Sequence, residues 1–165
     1  MLRLPFISNR HKMANRRINP LAELSIREFT SDDYDTLIKV WQEAKLPYKP
    51  AGRDRKESIA EEIERANAVF LVGEINGEIV GSAFGTHDGR KGWINRVAVR
   101  PRYQRQGVAA KLVSEVERRL ESMGIGIIAC LIEDWNKESI NFFEKIGYQS
   151  HKNIIYFTKR KESEI

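Results

Sequence analysis

A chain of 165 residues, 41% hydrophobic and 31% charged, suits one domain with a sizeable core and polar ends. No apolar run is long enough to span a bilayer as a helix, so no membrane association is expected, and the single cysteine, Cys130, excludes an internal disulfide framework and fits a reducing, cytoplasmic compartment. The formal charge of +5 resides in residues 1–22, where Arg3, Arg10, Lys12, Arg16 and Arg17 meet no acid, while the remainder balances 23 basic against 23 acidic residues. A body without a basic field is not expected to bind nucleic acid.

Residues 1–22 read as a basic, disordered tail, or as an overcalled start with Met13 as the initiator. A secretory signal is not expected, because no sustained apolar segment follows the basic residues. Leu24–Phe29 alternates as an edge strand. Thr30-Ser31-Asp32-Asp33 has the acids of a helix start, with Tyr34, Leu37, Ile38 and Trp41 as the apolar face up to Pro47. Asp54-x-x-Glu57 is expected to open a second helix, with Ile59 and Ile63 inward. The connector between these helices, with Pro47, Tyr48 and Pro50, is the kind of loop that carries substrate contacts, or only links two elements.

Ala68–Ile75 and Glu78–Gly85 flank Asn76-Gly77, the signature of a type I′ hairpin. A second turn through Asp88–Gly92 leads to Trp93–Val99, where the β-branched Val97 and Val99 alternate with Arg96 and Ala98. Pro101 cannot continue a ladder. From Val108 the apolar positions Leu112, Val113, Val116, Leu120 and Met123 form one helical stripe, so Gly107 stands at a helix start. Gly124 is a C-cap, and Ile125–Ile132 is an apolar run expected to be a buried strand, parallel to Trp93–Val99. Asn136–Tyr148 reads as a short helix closed by Gly147, and Asn153–Thr158 as a final strand.

A helix start exposes unpaired amides at the positive end of its dipole, which suits a phosphate. Gly107 and Ala109 permit close approach. Arg102 and Arg105, with the amides of Gln104 and Gln106, supply further donors, and guanidinium groups match phosphate oxygens. The expected ligand is a diphosphate. The spacing Gln104-x-x-Gly107-x-Ala109 is neither the nucleotide P-loop nor the dinucleotide fingerprint.

That spacing, after the triplet Val97-Ala98-Val99, resembles the acetyl-CoA signature of the GNAT superfamily of N-acetyltransferases. Asn136 followed by Phe142-Phe143-Glu144-Lys145-Ile146-Gly147-Tyr148 resembles its second motif. The resemblance covers residues 24–159 and implies an α/β (α+β) fold: one GNAT-like domain over residues 23–160, with a C-terminal tail at 161–165. Its sheet is expected to be mixed, mostly antiparallel and twisted, with six to seven strands and about four flanking helices.

The resemblance also implies a mechanism. Two strands part, and the pantetheine arm of acetyl-CoA lies in the gap along the backbone of Val97, Ala98 and Val99, as an added strand does. The diphosphate rests on Arg102, Gln104, Arg105, Gln106, Gly107, Val108 and Ala109, with Asn136, Phe142 and Phe143 on the cofactor's other side. An amine then attacks the thioester directly. Many relatives carry a tyrosine as general acid where this chain has Phe143, which has no proton to give. Tyr148, Tyr103 or water are the substitutes. Glu133 is the candidate base, with Asn95 positioning water as second choice; His87 is a turn residue or a group titrating near neutrality. The expected partner is an amine, small-molecule or protein, and exposed sheet edges leave room for a homodimer. A sensor that binds acyl-CoA without catalysis is the alternative, kept open by Phe143. The acceptor is not legible, because similar scaffolds acylate many amines.

Overall fold

The computed structural model describes residues 20–161. Its frame is an antiparallel meander of β2 (Ala68–Ile75), β3 (Glu78–His87) and β4 (Gly92–Val99), with β1 (Ser25–Glu28) antiparallel outside β2. The β2–β3 turn holds Asn76 and Gly77 at φ of 51° and 77°, the two positive angles that a type I′ turn demands. β5 (Ile128–Ala129) joins the far side of β4 in parallel, giving the order β1-β2-β3-β4-β5.

Helix α4 (Val108–Ser122) covers one face with the predicted stripe, and Leu112, Val113, Val116 and Leu120 are fully buried against Leu71, Val80, Ala83 and Ile94. The helix lies close because β3 is small beneath it: a Cβ on Gly85 would stand 2.5 Å from Val116 Cγ1. Helices α2 (Tyr34–Glu43) and α3 (Lys56–Ile63) close the other face over Phe70, Val72 and Phe84. Phe70 and Phe84 stack there at 3.8 Å, and the edge of Trp41 meets Phe84 at 5.7 Å. Helix α5 (Lys137–Lys145) buries Phe143 against the α4 cluster.

The class is as expected, and several details are corrected. The described residues form five strands rather than six or seven. They also form five α-helices, counting the turn α1 (Pro20–Glu23), and 3-10 turns at Ser31–Asp33 and Pro101–Tyr103. β5 spans two residues instead of Ile125–Ile132, and Ile127 and Leu131 are both 57% exposed. It sits at the sheet margin, where only one neighbour supplies a ladder. Asn153–Thr158 forms no strand, with Phe157 86% exposed: β-branched and aromatic residues favour a strand only where a partner edge receives them. Asp54 does not open α3, which starts at Lys56, and is buried instead. The expectation of a disordered tail over residues 1–22 falls outside the described residues up to 19, and its last three belong to α1; residues 162–165 of the C-terminal tail also lie outside them.

Asp54 makes the polar heart of the α2–α3 face. Arg96 Nη2 donates to both of its oxygens at 2.5 and 2.6 Å, Arg96 Nε donates at 3.1 Å, and the Lys49 amide donates at 2.7 Å. Removing one partner of such a pair strands a charge away from water, at about 3–5 kcal/mol. Asp54→Ala is therefore expected to lower the unfolding free energy by about that much, read from urea denaturation midpoints. A midpoint equal to wild type contradicts the assignment.

Candidate active site

The site grows from a defect in β4. Ser82 pairs with Ala98 and Phe84 with Asn95, so one β3 residue, Ala83, faces two residues of β4, Arg96 and Val97. This is a β-bulge, and it bends its strand. Arg96 takes the left-handed conformation, φ 53°, an unfavourable one for a residue with a side chain. Four contacts hold it there. Ser82 Oγ donates to the Arg96 carbonyl at 2.9 Å while accepting from Trp41 Nε1 at 3.0 Å. The guanidinium grips Asp54 and donates to the Pro47 carbonyl at 3.1 Å, and it lies 5.2 Å from the Trp41 ring centroid.

Beyond the bulge the neighbouring strands part. β4 and β5 pair only through Gly92–Ile128 and Trp93–Ala129. The outer edge of β4 from Asn95 to Val99 is thus open, and Gln104 Nε2 closes its far end by donating to the Val99 carbonyl at 2.8 Å. Val97 packs on the α4 side and Ala98 on the α2–α3 side, as alternation dictates.

The turn after β4 is built as a cradle. Gly107 is the N-cap of α4 at φ 86°, and Arg105 is also left-handed, at 58°. The amides of Arg105, Gln106, Gly107, Val108 and Ala109 donate to no group among the described residues. Successive free amides at a helix start form a nest for an anion, so the residues present fit a diphosphate. Not every predicted donor side chain faces that nest. Arg102 pairs with Glu78 and lies over Tyr103 at 4.9 Å, and Gln106 Nε2 donates to the Arg102 carbonyl at 2.7 Å. The side chains of Gln104 and Gln106 therefore hold the turn's shape, while Arg105 is the exposed cation without an ion pair among the described residues. Leu21 of α1 lies beside the cradle, where a Cβ on Gly107 would come within 3.0 Å of its Cδ1.

The remaining candidates scatter around the gap. Asn136 caps α5, its Oδ1 accepting from the Ser139 amide at 3.1 Å. Phe143 is buried, edge-on to Phe142 and Tyr148 at 5.1 and 5.0 Å, and serves the core. The Tyr148 hydroxyl donates to Glu117 Oε1 at 2.6 Å, and burial together with that carboxylate pushes its pKa well above the usual tyrosine range. Its proton is thereby committed to α4. Asn95 is exposed beside the opening, and Glu133 is exposed in the loop after β5. His87 ends β3, its Nδ1 accepting from the Gly89 amide of the following turn at 3.2 Å, and Trp41 is core. Trp135 is 67% exposed. Sequence reasoning missed the Asp54–Arg96 and Trp41–Ser82 pairs, each joining residues about forty positions apart with no local signal.

A single sheet whose fourth and fifth strands part beside a helix start with free amides has the α/β architecture expected of the acetyltransferase class. The Acetyltransferase (GNAT) family model matches residues 25–148. An acetyltransferase of Sodalis glossinidius is 31% identical over 137 residues, 83% of this chain and 95% of that one. One from Pectobacterium atrosepticum is 32% identical over 127 residues, 77% and 89% of the two chains. Among solved structures, the PaiA N-acetyltransferase of Thermoplasma acidophilum in complex with coenzyme A superposes with a TM-score of 0.71 at 20% identity, covering 78% of this chain and 91% of that one. AAC(6')-Iy in complex with a CoA-linked acetylneamine analogue gives 0.70 at 16%, covering 83% and 98%. The chain belongs to the acetyltransferase (GNAT) family and is an N-acetyltransferase of that kind, drawing on acetyl-CoA. No helix among the described residues is long and apolar enough to cross a membrane.

Two outcomes follow from this geometry. Gly107→Glu is expected to abolish coenzyme A binding in calorimetry, because it sets a carboxylate at the nest. The strained φ costs about 1–2 kcal/mol, so melting should fall by only about 2–8 °C; unchanged affinity contradicts the cradle. Burial pushes the Cys130 thiol up to about 11. Raising an acid's pKa favours its protonated form, so at pH 8 iodoacetamide should alkylate Cys130 about a hundredfold more slowly than an ordinary cysteine, accelerating up to pH 11.

Proposed function

We propose that this enzyme transfers the acetyl group of acetyl-CoA to a primary amine by direct attack in a ternary complex. One observation carries the reading: the unpaired β4 edge ends at the free amides of residues 105–109, so a ligand with an extended amide arm and a diphosphate has partners along its length. Acetyl-CoA supplies the thioester that activates the acetyl group. The chain's own residues do the rest. The backbone of Val97 to Val99 orients the arm as a further strand would, and the Arg105–Ala109 amides with the Arg105 guanidinium receive the diphosphate. Asn136 and Phe142 flank the other side.

Attack requires a neutral amine and a polarised carbonyl. Glu133 takes the amine's proton, directly or through a water that Asn95 positions from the β4 side of the opening. Phe143 has no proton to give, Tyr148 holds its own on Glu117 and Tyr103 donates its own to Glu78 at 3.3 Å, so water protonates the leaving sulfur. A small-molecule acceptor is in keeping with structural neighbours that are aminoglycoside N-acetyltransferases.

Calorimetric titration with acetyl-CoA, followed by thiol release against a panel of amines, tests this. Stoichiometric binding with amine-dependent thiol release is expected. Failure to bind contradicts the cradle, and binding without release on any amine contradicts the transfer.

A further inference from the structure

The excess charge of the chain lies ahead of the fold. Residues 1–22 carry Arg3, Arg10, Lys12, Arg16 and Arg17 and no acid, and the family match begins only at residue 25. Where this stretch joins the sheet is fixed by α1. The Leu21 side chain lies against the left-handed N-cap of α4, so that a Cβ on Gly107 would stand 3.0, 3.4 and 3.6 Å from its Cδ1, Cδ2 and Cγ. Glu23 Oε2 accepts from Asn76 Nδ2 in the β2–β3 turn at 2.9 Å, and Leu24 packs on the α4 cluster. These anchors bring the chain to the end of the sheet at which β4 runs into the cradle.

The reach of the basic residues follows from chain length alone. An extended chain advances about 3.3–3.6 Å per residue, so Arg17 and Arg16 stand no more than about 14 and 18 Å of backbone from Leu21. Both follow Met13, so they belong to the chain whichever methionine starts it. The cradle has use for such charge. Its free amides carry partial charges only, Arg102 is taken by Glu78, and Lys111 lies a turn further along α4, which leaves Arg105 as its exposed guanidinium. Coenzyme A brings a diphosphate and a separate ribose phosphate, more negative charge than one guanidinium balances.

We propose that the basic N-terminal segment is an arm for the cofactor, in which Arg16 and Arg17 pair with the phosphates of coenzyme A at the cradle and Leu21 sets where the arm departs. The assignment rests on the transferase reading above and adds two cofactor-binding residues to it. Guanidinium groups suit the task, since they present paired donors to phosphate oxygens. Attraction between exposed charges is screened by salt, which gives the arm a signature that a merely structural segment lacks.

Two measurements on the full chain test it. In calorimetry, Arg16→Ala/Arg17→Ala is expected to raise the coenzyme A Kd about tenfold and Arg16→Lys/Arg17→Lys to raise it less, while Lys159→Ala/Lys161→Ala, which removes the same charge at the exposed C-terminal end, leaves it unchanged. Salt at about 0.3 M should weaken binding by the wild type more than by the alanine pair. In limited trypsin digestion read by mass spectrometry, coenzyme A should slow cleavage after Arg16 and Arg17 of the wild type and leave cleavage after Lys159 as it was. Wild-type affinity in the alanine pair, an equal loss in the Lys159→Ala/Lys161→Ala control, or cleavage after Arg16 and Arg17 at one rate with and without coenzyme A overturns the proposal. A wild-type chain that binds no coenzyme A removes the transferase reading, and the arm with it.

Discussion

The grip of Arg96 on Asp54 is the constraint on which the site depends. A left-handed arginine costs about 1–2 kcal/mol by itself, and a bulge forfeits ladder bonds. The compensation comes from charge-assisted hydrogen bonds at 2.5 and 2.6 Å and from Ser82 holding the bulge carbonyl. As a buried ion pair it contributes little to net stability, since desolvation offsets attraction. What it fixes is geometry. It ties the loop after α2 to β4 and keeps two β4 residues opposite one of β3, so β4 bends where its partnership with β5 ends.

The same bend gives the open edge its direction, and α4 gives it an end. The helix lies close to the sheet over Gly85, so the start of α4 is set by packing along its whole length, not by the turn alone. The nest at Arg105–Ala109 is then rigid where it matters. Its amides are held by a helix whose buried stripe cannot slide without opening cavities, while Gln104 and Gln106 fasten the turn to Val99 and Arg102. Preorganised donors of this kind bind an anion without first paying for order in the protein.

Local chemistry made much of this readable from the sequence. Asn76-Gly77 dictated its turn, the Val108–Leu120 stripe its helix, and Gly107 its cap, because each is decided by a few adjacent residues. Whatever needed a distant partner was not readable. Asp54 looked like a helix cap because its neighbours in sequence suggest one, yet its partner is Arg96, 42 positions on. The apolar run at Ile125–Ile132 resembled a buried strand, but only two of its residues pair with β4 in the ladder. Arg102 fits a phosphate by composition and is turned to Glu78 by a neighbour on β3.

The two faces of the sheet divide the work of shaping the gap. The nest of free amides belongs to α4 on one face, and the Asp54–Arg96 pair that holds the bulge belongs to the α2–α3 side on the other. Only where β4 and β5 part does the sheet cease to separate the two faces. A continuous ladder there would close the β4 edge from Asn95 to Val99, and a wider parting would leave Trp93 without Ala129. The short pairing of Gly92 and Trp93 with Ile128 and Ala129 therefore sets where the open edge begins. The bulge at Arg96 keeps the strand from closing past it.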